Sequence, residues 1–143
     1  MPYASEGTYR ACLSLHATHS NHPVTLLSPH LYFQTEGGSL FPLKRRLGCV
    51  LMTCDPLLTE GDPMPALAEF DAAQASECVA LASITGPVAR GLSELGYRVF
   101  KLGEEPWVDL SDFQPRGNRG KGIRAARNQA LRSGCEAGEW SPE

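Results

Sequence analysis

Apolar and polar positions along this chain repeat with two different periods, and the changes between them mark its elements. His30 to Gln34 (His-Leu-Tyr-Phe-Gln) reads as a short strand or a helix end. Glu36-Gly37-Gly38-Ser39 is a turn, and Leu40 to Leu43 a second strand. Lys44-Arg45-Arg46 then occupies a hairpin turn before the apolar strand Gly48 to Cys54, which Asp55-Pro56-Leu57 stops. Asp62-Pro63-Met64-Pro65 opens a helix to about Glu77, with Asp62 as its cap and the prolines confined to the first turn. Leu67, Phe70 and Ala73 fall on its inner side. Cys78 to Ile84 is nearly continuous in apolar residues, the pattern of a central strand buried on both faces. Pro87 to Leu95 places Val88, Leu92 and Leu95 at helical spacing, and Gly96 takes the left-handed position that ends the turn. Tyr97 to Leu102 and Trp107 to Leu110 read as strands, and Gly122 to Ser133 as a last helix closed by Gly134. Residues 1–22 are polar and without a period, so a poorly ordered segment is expected there. The alternation of strands and helices predicts an α/β or α+β layer protein with a mixed sheet.

A chain of 143 residues supplies one core. No apolar run approaches the ~20 residues of a membrane-spanning helix, and residues 1–30 lack the basic start and apolar stretch of a secretory signal. A cytoplasmic location, possible also at the inner face of a membrane, is the expectation. The five cysteines (Cys12, Cys49, Cys54, Cys78, Cys135) are odd in number and contain no C-x-x-C pair, so reduced thiols are expected. Cys12, His16, His19 and His22 have side chains that ligate metals, yet Ser20, Asn21 and Pro23 break the helix that would gather them. No metal is predicted.

Charge adds more than composition does. From Arg116 to Arg132 there are six cations and no acid, while Asp55 to Glu77 carries six acids and no base. The cations follow a glycine-rich turn, Arg116-Gly117-Asn118-Arg119-Gly120-Lys121-Gly122, which leads into the last helix. Such a turn can present free backbone N–H groups beside positive charge, which suits a phosphate-bearing partner. Arg116, Arg119, Lys121, Arg124 and Arg127 are therefore the candidate substrate-binding residues. Glu105 joins them as the member of Glu104-Glu105 expected to turn inward toward an arginine, because neighbours on an extended segment face opposite ways. No Ser-His-Asp or Cys-His arrangement can be inferred, and no catalytic residue is assigned.

From about His22 to Trp140 the sequence resembles the first half of the catalytic domain of phosphatidylglycerol lysyltransferases, bacterial lipid aminoacyltransferases. The residues that carry the resemblance keep the family's order: Tyr32-Phe33, Asp55-Pro56-Leu57, Ala66 to Phe70 and Leu95-Gly96-Tyr97. They continue through Lys101-Leu102-Gly103-Glu104-Glu105, Val108-Asp109-Leu110, Phe113, Gly117 and Ile123-Arg124-Ala125-Ala126-Arg127-Asn128. Cys54 stands where the family has a glycine, and Pro106 where it has a small residue. The resemblance implies an N-acetyltransferase-like (GNAT-like) fold with a mixed, mainly antiparallel sheet flanked by helices. On that view residues 23–143 form a single such domain, the first of a tandem pair, cut short at its C-terminus. The implied activity takes an aminoacyl group from aminoacyl-tRNA and esterifies it to a lipid headgroup such as phosphatidylglycerol, or a related hydroxyl or amine acceptor. It implies no cofactor. The family's transfer residues lie mainly in the second half, which this chain lacks.

Two other readings compete. An acetyl-CoA-dependent GNAT N-acetyltransferase would use a loop of the form R/Q-x-x-G-x-G/A. Here Gly120-Lys121-Gly122 provides the glycines, but Gly117 stands where arginine or glutamine is wanted and Arg116 comes one residue early. A non-catalytic remnant or interaction module is the third reading.

Overall fold

The computed structural model describes residues 2–28, 30–105, 109 and 111–138. The chain divides into two compact units, Met1–Leu102 and Gly103–Glu143.

The first unit is a five-stranded sheet flanked by helices. Strand β1 (Tyr3–Ala4) precedes helix α1 (Glu6–His16) and a short 3-10 turn (Pro23–Leu27). Strands β2 (Leu31–Gln34), β3 (Leu40–Arg46) and β4 (Cys49–Met52) follow, then helix α2 (Met64–Ala73), β5 (Cys78–Leu81) and helix α3 (Gly86–Glu94). The strands lie in the order β1-β2-β3-β4-β5. Short connections make β2–β3 and β3–β4 antiparallel, whereas the α2 crossover makes β4 and β5 parallel. The sheet is thus mixed and mainly antiparallel, as expected.

Alternation along the strands splits the core between the sheet's faces. On one face Phe33, Phe41, Leu43, Val50 and Met52 meet Leu67 and Phe70 of α2 and Val88 and Leu92 of α3. Phe41 and Phe70 stack with centroids 4.5 Å apart, and Phe33 packs edge-on to both. Gly91 lets α3 approach closely: a Cβ there would lie 2.6 Å from Leu67 Cδ1 and 2.9 Å from Met64 Sδ. On the other face Tyr9 of α1 stacks on Tyr32 at 4.3 Å, beside Leu40 and Leu57.

Five expectations change. A helix, α1, stands where no element was expected: Ser5 Oγ caps it by accepting the Thr8 N–H at 3.1 Å, and Tyr9, Cys12 and Leu13 form its inner stripe. Lys44, Arg45 and Arg46 belong to β3, and the hairpin turn is Leu47-Gly48, both at positive φ (54° and 76°). The predicted central strand is β5, with alternating exposed and half-buried residues, and it is the last strand of the sheet among the described residues. Tyr97 to Leu102 forms no strand; Val99, Phe100 and Leu102 are exposed. Within α2, Ala73 is exposed and Ala66 takes the inward place. The strand expected at Trp107 to Leu110 and the element expected from Glu139 lie outside the described residues.

The second unit contains the turn before residue 121 and helix α4 (Lys121–Arg132), which has no buried residue and ends at Gly134 with φ +78°.

Candidate nucleic-acid interface

The glycine turn winds on itself before it becomes a helix. Gly120 N–H donates to Arg116 O at 3.2 Å, Lys121 N–H to Asn118 O at 3.2 Å, and Arg124 N–H to Gly120 O at 3.0 Å. Gly117 has φ +61°, a conformation that favours glycine. Gly120 is buried, and a Cβ there would overlap the Pro115 carbonyl and the Arg116 amide. Sequence dictates this shape through those two glycines.

The Arg124 side chain folds back into the turn. Its Nη1 donates to Pro115 O at 2.6 Å and Gly117 O at 3.1 Å. The turn is therefore occupied: its carbonyl rim holds a guanidinium, and the amides of Gly120 and Lys121 are used internally. A phosphate cradle needs such amides free, so the expectation of free N–H groups is corrected at Gly120 and Lys121, for a tRNA phosphate as much as for the pyrophosphate of acetyl-CoA. Arg124 braces the helix start.

Arg116, Arg119, Lys121 and Arg127 are exposed. Lys121, Arg124, Asn128 and Arg132 recur at steps of three and four, so they share one side of α4. Arg132 Nε donates to Asn128 O at 3.2 Å. Ile123 and Leu131, 47% and 55% exposed, give the helix an uncovered apolar stripe as well. These exposed cations belong to a stretch, 116–132, that contains no acid, and long flexible side chains of that charge can meet phosphates. Glu105 is exposed.

Sequence reasoning missed a buried polar knot in the first unit. His22 is fully buried; its Nε2 donates to Asp55 O at 2.8 Å and its Nδ1 accepts the His19 N–H at 3.3 Å. With both ring nitrogens engaged, His22 is held as the neutral tautomer, and burial lowers its pKa against the opposing bond to Asp55. The Asp55 carboxylate accepts Thr85 N–H at 2.8 Å and Thr85 Oγ1–H at 2.5 Å. Asp55 thus ties the end of β4 to the start of α3, where Thr85 stands as N-cap without a cap bond of its own. Thr25 Oγ1 donates to Tyr9 Oη at 3.0 Å, and burial pushes that phenol's pKa up. Burial also pushes Cys54 up to about 12, which leaves it no nucleophile. The available signals were Asp55 before a proline and Thr85-Gly86-Pro87, a helix start by composition.

The family described as "Phosphatidylglycerol lysyltransferase, C-terminal" matches residues 13–143. Among solved structures, L-PGS from Bacillus licheniformis is 26% identical with a TM-score of 0.71, over 92% of this chain and 43% of that one. The C-terminal domain of a candidate lysylphosphatidylglycerol synthetase from Agrobacterium fabrum is 20% identical with a TM-score of 0.70, over 91% and 43%. That second likeness is one of fold alone. The chain spans less than half the length of either structure. No curated protein matches it. No helix among the described residues is long and apolar enough to cross a membrane.

Proposed function

Because this chain belongs to the phosphatidylglycerol lysyltransferase C-terminal family, we propose that it works in aminoacyl transfer to a lipid, with aminoacyl-tRNA as donor. The acceptor in this reading is the hydroxyl of a phosphatidylglycerol-like headgroup. That hydroxyl oxygen attacks the ester carbonyl of the charged tRNA, the bond to the tRNA ribose oxygen breaks, and the hydroxyl proton ends on that oxygen. An activated ester needs orientation, a proton route and donors facing the developing oxyanion, rather than a protein nucleophile. This agrees with a chain that offers cations and a buried structural histidine.

One observation carries the reading: Arg116, Arg119, Lys121 and Arg127 stand exposed on a turn and helix with no acid between residues 116 and 132. We assign these side chains to the tRNA backbone, where each phosphate neutralised releases counterions. Arg124 acts through the turn it braces. The chain covers 43% of the Bacillus licheniformis structure, and the role this reading gives to its cations is donor binding.

The test is a pair of titrations. Aminoacyl-tRNA should bind at low salt and weaken steeply as salt rises, and acetyl-CoA should not saturate the chain. Saturable acetyl-CoA binding without tRNA affinity would make the chain an acetyltransferase instead.

A further inference from the structure

We propose that Cys49 and Cys78 form a reversible oxidative modification site, which closes into a disulfide when a hydroperoxide reaches Cys78. The two residues are partners in the parallel register of β4 and β5, each the first residue of its strand. Register partners on neighbouring strands point to one face and sit about 4.8 Å apart. That spacing falls inside the roughly 4.4–6.8 Å Cα separation a disulfide requires, so no backbone rearrangement is needed. Val50, Met52, Val79 and Leu81 take the opposite face, where the α2–α3 core lies. The cysteines are therefore on the side away from that core.

Access and chemistry differ between the pair in a useful way. Both thiols are free; Cys78 is exposed and Cys49 half-buried. Cys78 is the larger influence on Cys49, whose pKa is pushed up by a hydrogen bond between the thiols, so Cys49 holds its proton beside its partner. Arg46 is the register partner of Cys49 across the hairpin, and the Glu77 carboxylate adds to the upward push on the Cys49 thiol. Of the other cysteines, Cys54 is buried in the core and Cys12 packs against Tyr9 and its neighbours.

The step balances in two stages. The Cys78 sulfur takes the outer oxygen of the hydroperoxide, giving a sulfenic acid and the corresponding alcohol. The Cys49 sulfur then displaces that oxygen as water and forms the S–S bond. Two electrons pass from the two thiols to the peroxide. The bridge joins the sheet's parallel pair and closes the loop that contains α2 and Asp55, and closing a loop restricts the unfolded chain.

The experiment treats the intact chain with tert-butyl hydroperoxide under native conditions, then maps peptides without reduction. The expected main product is the Cys49–Cys78 peptide pair, lighter by two hydrogens. With it come loss of two titratable thiols and a thermal midpoint raised by several degrees, all reversed by dithiothreitol. Cys49→Ser should abolish the pair and leave Cys78 as its sulfenic or sulfinic acid, while Cys135→Ser should change nothing. Cys78 oxidised alone in the unmutated chain, dimers bridged between chains, or a main product through another cysteine would each overturn the proposal.

Discussion

His22 gives the protein a pH dependence that belongs to a single side chain. Its folded-state pKa lies below the ordinary histidine value because burial disfavours the imidazolium. The unfolded chain therefore binds the extra proton first. The stability His22 contributes is complete above about pH 6.5, the unfolded value, and is lost as pH falls below it. Urea midpoints measured from pH 8 to pH 5 should fall toward acid, and His22→Gln should flatten that trend; an unchanged slope in the variant would remove His22 as its source. The arginines divide in a similar way by what they touch. Arg127→Ala should lower the salt slope of tRNA binding by about one, because its charge is free for a phosphate. Arg124→Ala should weaken binding with a smaller change in slope, because it undoes the Pro115–Gly117 turn. Equal slope losses for both would contradict the assigned difference. None of this separation was legible in the sequence, where both arginines are cations on one helix; only the backfolded guanidinium distinguishes them.

Period carried the elements further than it carried their neighbours. Helices α2 and α3 were legible because Leu67 and Phe70, and Val88 and Leu92, repeat at helical spacing and are buried where that spacing puts them. Phe70→Ala should cost about 3–5 kcal/mol by urea denaturation, since it empties the contact with Phe33 and Phe41. Ile123→Ala on exposed α4 should stay within about 0.5 kcal/mol. A small loss at Phe70 would mean that the aromatic trio is not the core. Helix α1 escaped the reading because Gly7 and several polar residues dilute its stripe, although Ser5 and Glu6 mark its start. The apolar run at β5 misled for a related reason. Composition says that a strand is apolar, but only its place in the sheet says whether a second neighbour covers it. Tyr97 to Leu102 shows the same limit, with strand-like residues and no strand.

For the molecule as a whole, the informative asymmetry is one of charge: acids crowd Asp55 to Glu77 and cations crowd Arg116 to Arg132. A net charge of −3 conceals this, and a polyanion would respond to the local field rather than to the sum. Family and fold class were legible from an ordered set of short motifs, because such an order survives where single motifs drift. The candidate site was legible as a run of cations. Its geometry was not, since the turn's occupancy by Arg124 depends on close backbone approach at Gly120. The most direct test plots the logarithm of the aminoacyl-tRNA association constant against the logarithm of salt concentration. The unmutated chain is compared with the triple variant Arg119→Ala, Lys121→Ala, Arg127→Ala. The account predicts a straight line for the unmutated chain, with each contacted phosphate contributing about 0.7–0.9 to its slope, and a loss of roughly two to three in the variant. No affinity at low salt, or the same slope in both proteins, would contradict it.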